Sequence, residues 1–240
     1  MDTLATEPVP PYRDHVGGTM QYIRDIVLGV NDGLVSIFLL VAGVVGAGFT
    51  SRQVLLASIA ASIAGAISMA AGEYIATKSQ DEVFAGEMEL EREHLKYHRH
   101  IEIEELREMF GDMGLKGEQL ESVIEALDRD DESILKVMMA LEFGVVDTQR
   151  RSPYRAMALS GVLFLMGSMP SVLPFAFIDR PGIALGLAAV LTSAGLFAVG
   201  AIKTKVTRKN PWISGVENLL IGASGAVLSY AAGALFDAAV

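Results

Sequence analysis

Apolar residues along this chain fall into five long runs rather than into alternating faces. Residues 26–49 contain one charge, Asp32, and residues 54–77 contain one, Glu73. Residues 156–178 and 183–202 carry none, and residues 212–236 carry only Glu217. A helix that crosses a bilayer needs about 20 mostly apolar residues, and every run reaches that length. A soluble domain cannot internalise five helices that are apolar all round. The first run is not a cleaved leader: it begins late, contains Asp32 and lacks a small-residue cleavage site before a polar chain. The pattern predicts an all-α, polytopic membrane protein with five transmembrane helices.

The connections between the runs are unequal. Residues 50–53 join the first two, 179–182 the third and fourth, and 203–211 the last two. Residues 79–150 separate the second run from the third. This insert reads as four helices: 79–100 continuing the second span, 101–110 stopped by Gly111 and Gly114, 117–127, and 132–146. The predicted organisation is a tail over 1–22, loose over its proline-bearing first twelve residues, two spans over 23–78, a helical insert over 79–150, and three spans over 151–240.

Charge sharpens that division. The chain is 51% hydrophobic with a mean hydropathy of +0.40 and a net charge of −10. The insert holds 20 of the 29 acids and 8 of the 19 Lys/Arg, so it carries −12 and the rest carries +2. One set of span ends collects Arg13, Arg24, Lys78, Arg150, Arg151, Arg155, Lys203, Lys205, Arg208 and Lys209; the other has Arg52 and Arg180. The first set belongs in the cytoplasm. That places the N-terminus and the insert inside and the C-terminus outside. The absence of cysteine excludes disulfides, thiolate zinc, iron–sulfur ligation and thiol catalysis. No arginine stripe alternates with aromatics, so nucleic acid is not an expected partner.

Ionisable groups inside spans are costly and mark functional positions. Asp25 and Asp32 lie seven residues apart, about two turns, on one face of the first span. Asn31 adds an amide oxygen. Met69 and Glu73 share a face of the second span. Carboxylates with a thioether suit a divalent transition metal of intermediate softness. Other readings stand beside this one. Asp25 could simply enter the membrane interface, Met69 could pack, Glu73 could pair with Lys78, and Glu217 with another helix. The glycines at 29, 33, 43, 46 and 48 allow close approach, either of two copies or of helices in one chain.

In the insert, Glu91 and His94 share a helix face, as do Glu102 and Glu105, and Met138 and Glu142. Clustered carboxylates repel unless a cation neutralises them. Such an acidic stretch is often just a solvated face; these spacings favour instead a metal-binding domain in which three helices converge Glu91, His94, Glu102, Glu105, Met138 and Glu142 on one site. Glu91-x-x-His94 is also half of a carboxylate-bridged di-iron pattern, which such bundles normally use twice. No Ser/His/Asp set, phosphate loop or HExxH motif supports chemistry on an organic substrate.

Arg24-Asp-Ile-Val-Leu-Gly-Val-Asn-Asp-Gly33, Gly65-Ala-Ile-Ser-Met-Ala-Ala-Gly-Glu-Tyr74 with Lys78-Ser-Gln80, and Met138-Met-Ala-Leu-Glu-Phe-Gly144 resemble the vacuolar iron transporter family. The likeness covers nearly the whole chain. It implies a homodimer, joined through the first span, that exports Fe²⁺ and often Mn²⁺ from the cytoplasm in exchange for protons. It implies a path between the two first spans lined by Asp25, Asp32 and Met69, and a cytoplasmic cluster at Glu91, Glu102, Glu105, Met138 and Glu142. A family glutamate falls on His94 here, and another on Ala61. Glu73 is the candidate to take over the proton role. The short C-terminus and the Gly-Glu-Tyr pattern imply a prokaryotic member in the cell membrane.

The expected function is secondary transport of divalent transition metals, with those ions as substrates and no permanent cofactor. Its partners are the ions, protons, the bilayer and a second copy. A membrane-anchored ferroxidase with a di-metal insert is the enzyme alternative, and a metal sensor without transport the third.

Overall fold

The computed structural model describes residues 19–142, 144, 151–207 and 209–239. Arg13, Arg150, Arg208, the tail over residues 1–12 and the end of the helix expected over 132–146 lie outside them. The described residues form eight helices and no strand: α1 (Thr19–Gly46), α2 (Ser51–Tyr97), α3 (Arg99–Asp112), α4 (Glu118–Leu127), α5 (Asp131–Glu142), α6 (Pro153–Phe177), α7 (Pro181–Thr207) and α8 (Pro211–Ala239). Five of these, α1, α2, α6, α7 and α8, are long and apolar enough to cross a membrane.

Local chemistry sets the helix starts. Gly48 turns the chain after α1 with φ +75°. Thr50 then caps α2: its hydroxyl accepts from the Gln53 backbone N–H, and the Gln53 side chain accepts from the Thr50 N–H at 3.0 Å. Pro153, Pro181 and Pro211 open α6, α7 and α8, where the missing N–H costs nothing. At 47 residues, α2 is about 70 Å long, more than twice the hydrocarbon thickness. Its apolar first part crosses; its charged second part, with Glu91 and His94, projects beyond the bilayer.

Several boundaries differ from the sequence reading. The break expected after His100 falls at His98, whose φ −132°, ψ 25° is not helical. Gly111 does not stop α3, which runs to Asp112, and the left-handed residue is Gly114. Residues 203–207, assigned above to a connection, continue α7.

In the bundle α1 is central, packing on α6, α8, α7 and α2. Its glycines make this possible. A Cβ at Gly33 would overlap the Phe164 carbonyl of α6, one at Gly46 the Tyr230 carbonyl of α8, and one at Gly233 the Gly43 carbonyl of α1. The close approach left open by the spacing is thus made within one chain. Ile37, Phe38, Val41, Val54, Phe164 and Phe175 form the buried core between these helices. Ser171 and Thr192 share a hydrogen bond of 3.0 Å between α6 and α7.

The insert has a core of its own, built from Leu95, Leu106, Ile124, Ile134, Leu135, Met138 and Met139, with Phe84 and Met88 of α2 against it. Arg99 ties the start of α3 to Asp128 at 2.8 Å and to Asp131 at 2.6 Å. Arg107 binds Glu121 at 3.0 Å and also pairs with Glu104.

Candidate metal pathway and metal centre

Asp32 and Met69 line one groove of about 380 Å³ between α1, α2 and α6, with Ser36, Ser68 and Phe164. The helical register of α1 puts Ser36 one turn beyond Asp32, and its hydroxyl donates to Asp32 Oδ1 at 2.7 Å. Asp32 is half-buried and Ser36 exposed, so the groove opens on the outside of a single chain. It offers a carboxylate, two hydroxyls and a thioether. Ser36 and Ser68 were not singled out in the sequence; their signal was their place one turn from Asp32 and next to Met69.

A second polar layer lies about 10 Å along α1 from the first, at Asp25. Asp25 is buried and its carboxylate is paired with Arg151, the residue before the Ser152 N-cap of α6. The same guanidinium reaches Glu73 Oε1 at 3.5 Å. Lys78, the partner considered for Glu73, pairs instead with Glu82 at 3.3 Å. Arg24 lies 3.8 Å from Asp25 but is largely exposed. Asn31 is turned away from this path: its amide oxygen accepts from Asn218 Nδ2 at 2.7 Å, and the same nitrogen donates to the Leu196 carbonyl at 2.8 Å. Glu217, beside Asn218, is exposed on α8.

In the insert, Glu91 and His94 from α2 meet Glu102 from α3. One ligand atom from each lies within 4.8 Å of the others. His94 Nδ1 is 3.2 Å from Glu102 Oε1. Glu91 and Glu102 are both buried, and each keeps one carboxylate oxygen without a hydrogen-bond partner. Burial first, then repulsion from Glu102 and Glu142, pushes the Glu91 carboxyl up to about 7. Partial desolvation, then Glu105 and Glu102, raises Glu142 as well. The expected acids therefore share one field. Glu105 and Glu142 form its exposed rim, and Met138 is fully buried in the adjoining core with Leu95 and Leu106. Glu87, also felt at Glu142, was missed; it precedes Glu91 by one turn. Such a cluster is stabilised by a divalent cation and discharged by acid.

The family model of the VIT family matches residues 23–234. The chain belongs to the VIT family. Among similar proteins is the vacuolar iron transporter 2 of Oryza sativa subsp. japonica, 32% identical over 213 residues, covering 88% of this chain and 85% of that protein. The vacuolar iron transporter 1 of Arabidopsis thaliana is 31% identical over 210 residues, 88% of this chain and 84% of its own. A vacuolar iron transporter of Toxoplasma gondii is 26% identical over 236 residues, 95% of this chain and 78% of that one. The family match takes in both polar layers and the insert cluster of this VIT chain.

Proposed function

We propose that this chain is a secondary transporter that moves Fe²⁺, and also Mn²⁺, out of the cytoplasm in exchange for protons. The relatives named iron transporters support metal transport. The observation that carries the route is the groove shared by Asp32 and Met69. Its donors match a divalent ion of intermediate softness, and nothing there offers an anion a cationic partner.

In this reading the acidic insert lies in the cytoplasm of a cell-membrane protein and raises the local cation concentration by its field. The ion passes the Asp25 and Glu73 layer, loses water and binds Asp32 and Met69. Protons neutralise the vacated carboxylates, which an apolar bundle cannot hold bare. The groove opens sideways, so a second copy facing it along α1 would close the path; the α1 glycines already serve contacts within the chain. Metals are substrates here, not resident cofactors. A carboxylate and thioether site in the bundle, apart from the insert, favours transport over ferroxidase, which the insert alone would serve.

The test is Fe²⁺ and Mn²⁺ flux in proteoliposomes with and without a pH gradient. Gradient-driven flux that Asp32→Ala abolishes is expected. Unchanged flux in Asp32→Ala overturns the route, and an oxidation burst stoichiometric with protein, without flux, favours the ferroxidase.

A further inference from the structure

Three separate segments bring charge to the mouth of the bundle: Asp25 from α1, Glu73 from α2 and Arg151 from the residue before the α6 N-cap. Their side chains are 1%, 16% and 9% exposed, so this is not a solvated surface pair. Two carboxylates this close to an apolar bundle repel each other and need a cation beside them. A guanidinium supplies it permanently, because it does not deprotonate in a protein.

We propose that Arg151 is a tethered counter-cation of the transport path, holding Asp25 and Glu73 in the metal-free protein and displaced when a divalent ion arrives. This rests on the transport reading above. Two carboxylates and one guanidinium leave a net charge of −1. A divalent ion gains by replacing the guanidinium, since it cancels both carboxylates. A monovalent ion brings no more charge than arginine and lacks its forked N–H donors. The contact therefore filters out sodium and potassium, which the carboxylates alone would attract. Arg24 cannot do this: it is 65% exposed, and exposed pairs are weak and screened. The buried geometry makes Arg151 a competitor that each substrate ion must outbid, so the apparent affinity for metal is lower than that of the bare carboxylates.

The experiment is Mn²⁺ flux through the full chain in proteoliposomes, for wild type, Arg151→Gln, Arg151→Lys and Asp32→Ala, each with and without added KCl at constant ionic strength. Arg151→Gln is expected to lower the KM for Mn²⁺ about tenfold and to make flux sensitive to K⁺. Arg151→Lys, a point charge without the fork, is expected to shift KM the same way by less. A merely structural clamp would lower the folded fraction or kcat and leave KM and the K⁺ response as in wild type; that result, or a raised KM, overturns the proposal. If Arg151→Gln does not elute as folded protein, Arg151→Lys decides: a KM below wild type supports displacement, and one equal or higher refutes it. The Asp32→Ala arm separates the two claims. Wild-type flux in that variant sinks the route itself, whereas lost flux there with an unmoved KM in the Arg151 variants sinks only the counter-cation.

Discussion

His94 Nδ1 stands 3.2 Å from Glu102 Oε1, joining the far end of α2 to the first turn of α3 across the break at His98. The imidazole thereby reaches the buried carboxylate while about a third of its own surface, 37%, stays exposed. Substituting Glu102 and Glu105 together by alanine is expected to weaken Mn²⁺ binding at the insert at least ~10-fold, by removing two candidate carboxylates from one helix face. His94→Ala should cost less, since two carboxylates of the trio remain. Titration calorimetry on the full chain in detergent, in an Asp32→Ala background that silences the groove, reads both. Wild-type affinity in the double variant would remove these glutamates from the ligand set.

Glu91 gives the cluster a pH dependence of definite sign. Its carboxyl is raised from 4.5 to about 7 in the folded chain, so the folded state holds a proton that the unfolded state has already lost. The metal-free protein therefore loses stability as pH rises from 4.5 through about 7. A bound cation needs the carboxylate, so metal affinity falls with acidification below about 7, by roughly tenfold per pH unit for one linked proton. Glu91→Gln should flatten the stability slope. Thermal melts across that pH range, with and without Mn²⁺, check both directions.

Met69→Leu keeps nearly the same volume and removes the sulfur. Folding should be little changed, while flux of softer ions such as Fe²⁺ and Co²⁺ falls more than that of Mn²⁺. A metal panel in proteoliposomes tests this. An equal fall across the panel would reduce Met69 to a packing residue.

Ser36→Ala removes the hydrogen bond that orients Asp32 but leaves the carboxylate. Flux should persist with a KM raised several-fold, on the order of one lost hydrogen bond. Flux as low as that of Asp32→Ala would make the hydroxyl itself a ligand.

Gly33→Ala and Gly233→Ala place a methyl group into neighbouring carbonyls, and each should cost about 1–3 kcal/mol or more of bundle stability. Gly86→Ala meets open space in mid-helix and should be neutral or stabilising by up to about 1 kcal/mol. Melting temperatures in detergent separate the two classes.

Five spans and a helical insert were legible because apolar runs and helical spacing are properties of the chain itself. The same holds for the shared faces of Asp25 with Asp32 and of Glu102 with Glu105: 3.6 residues per turn places them before any helix finds a neighbour. Capping of α2 by Thr50 with Gln53 and the three opening prolines are equally local in origin, but the apolar and charge pattern did not single them out. Other features depended on which helices lie side by side. Arg151 counted in the sequence only as one more cationic residue at a span end, yet it meets Asp25, 126 positions earlier in the chain. Asn31 offered an oxygen to the path, and α8 claimed it. The α1 glycines allowed two kinds of close approach, and the packing of α6 and α8 took them up. Sequence spacing determines what a helix presents. Long-range packing decides what that face meets, because partners distant in the chain share no period that a linear pattern can carry.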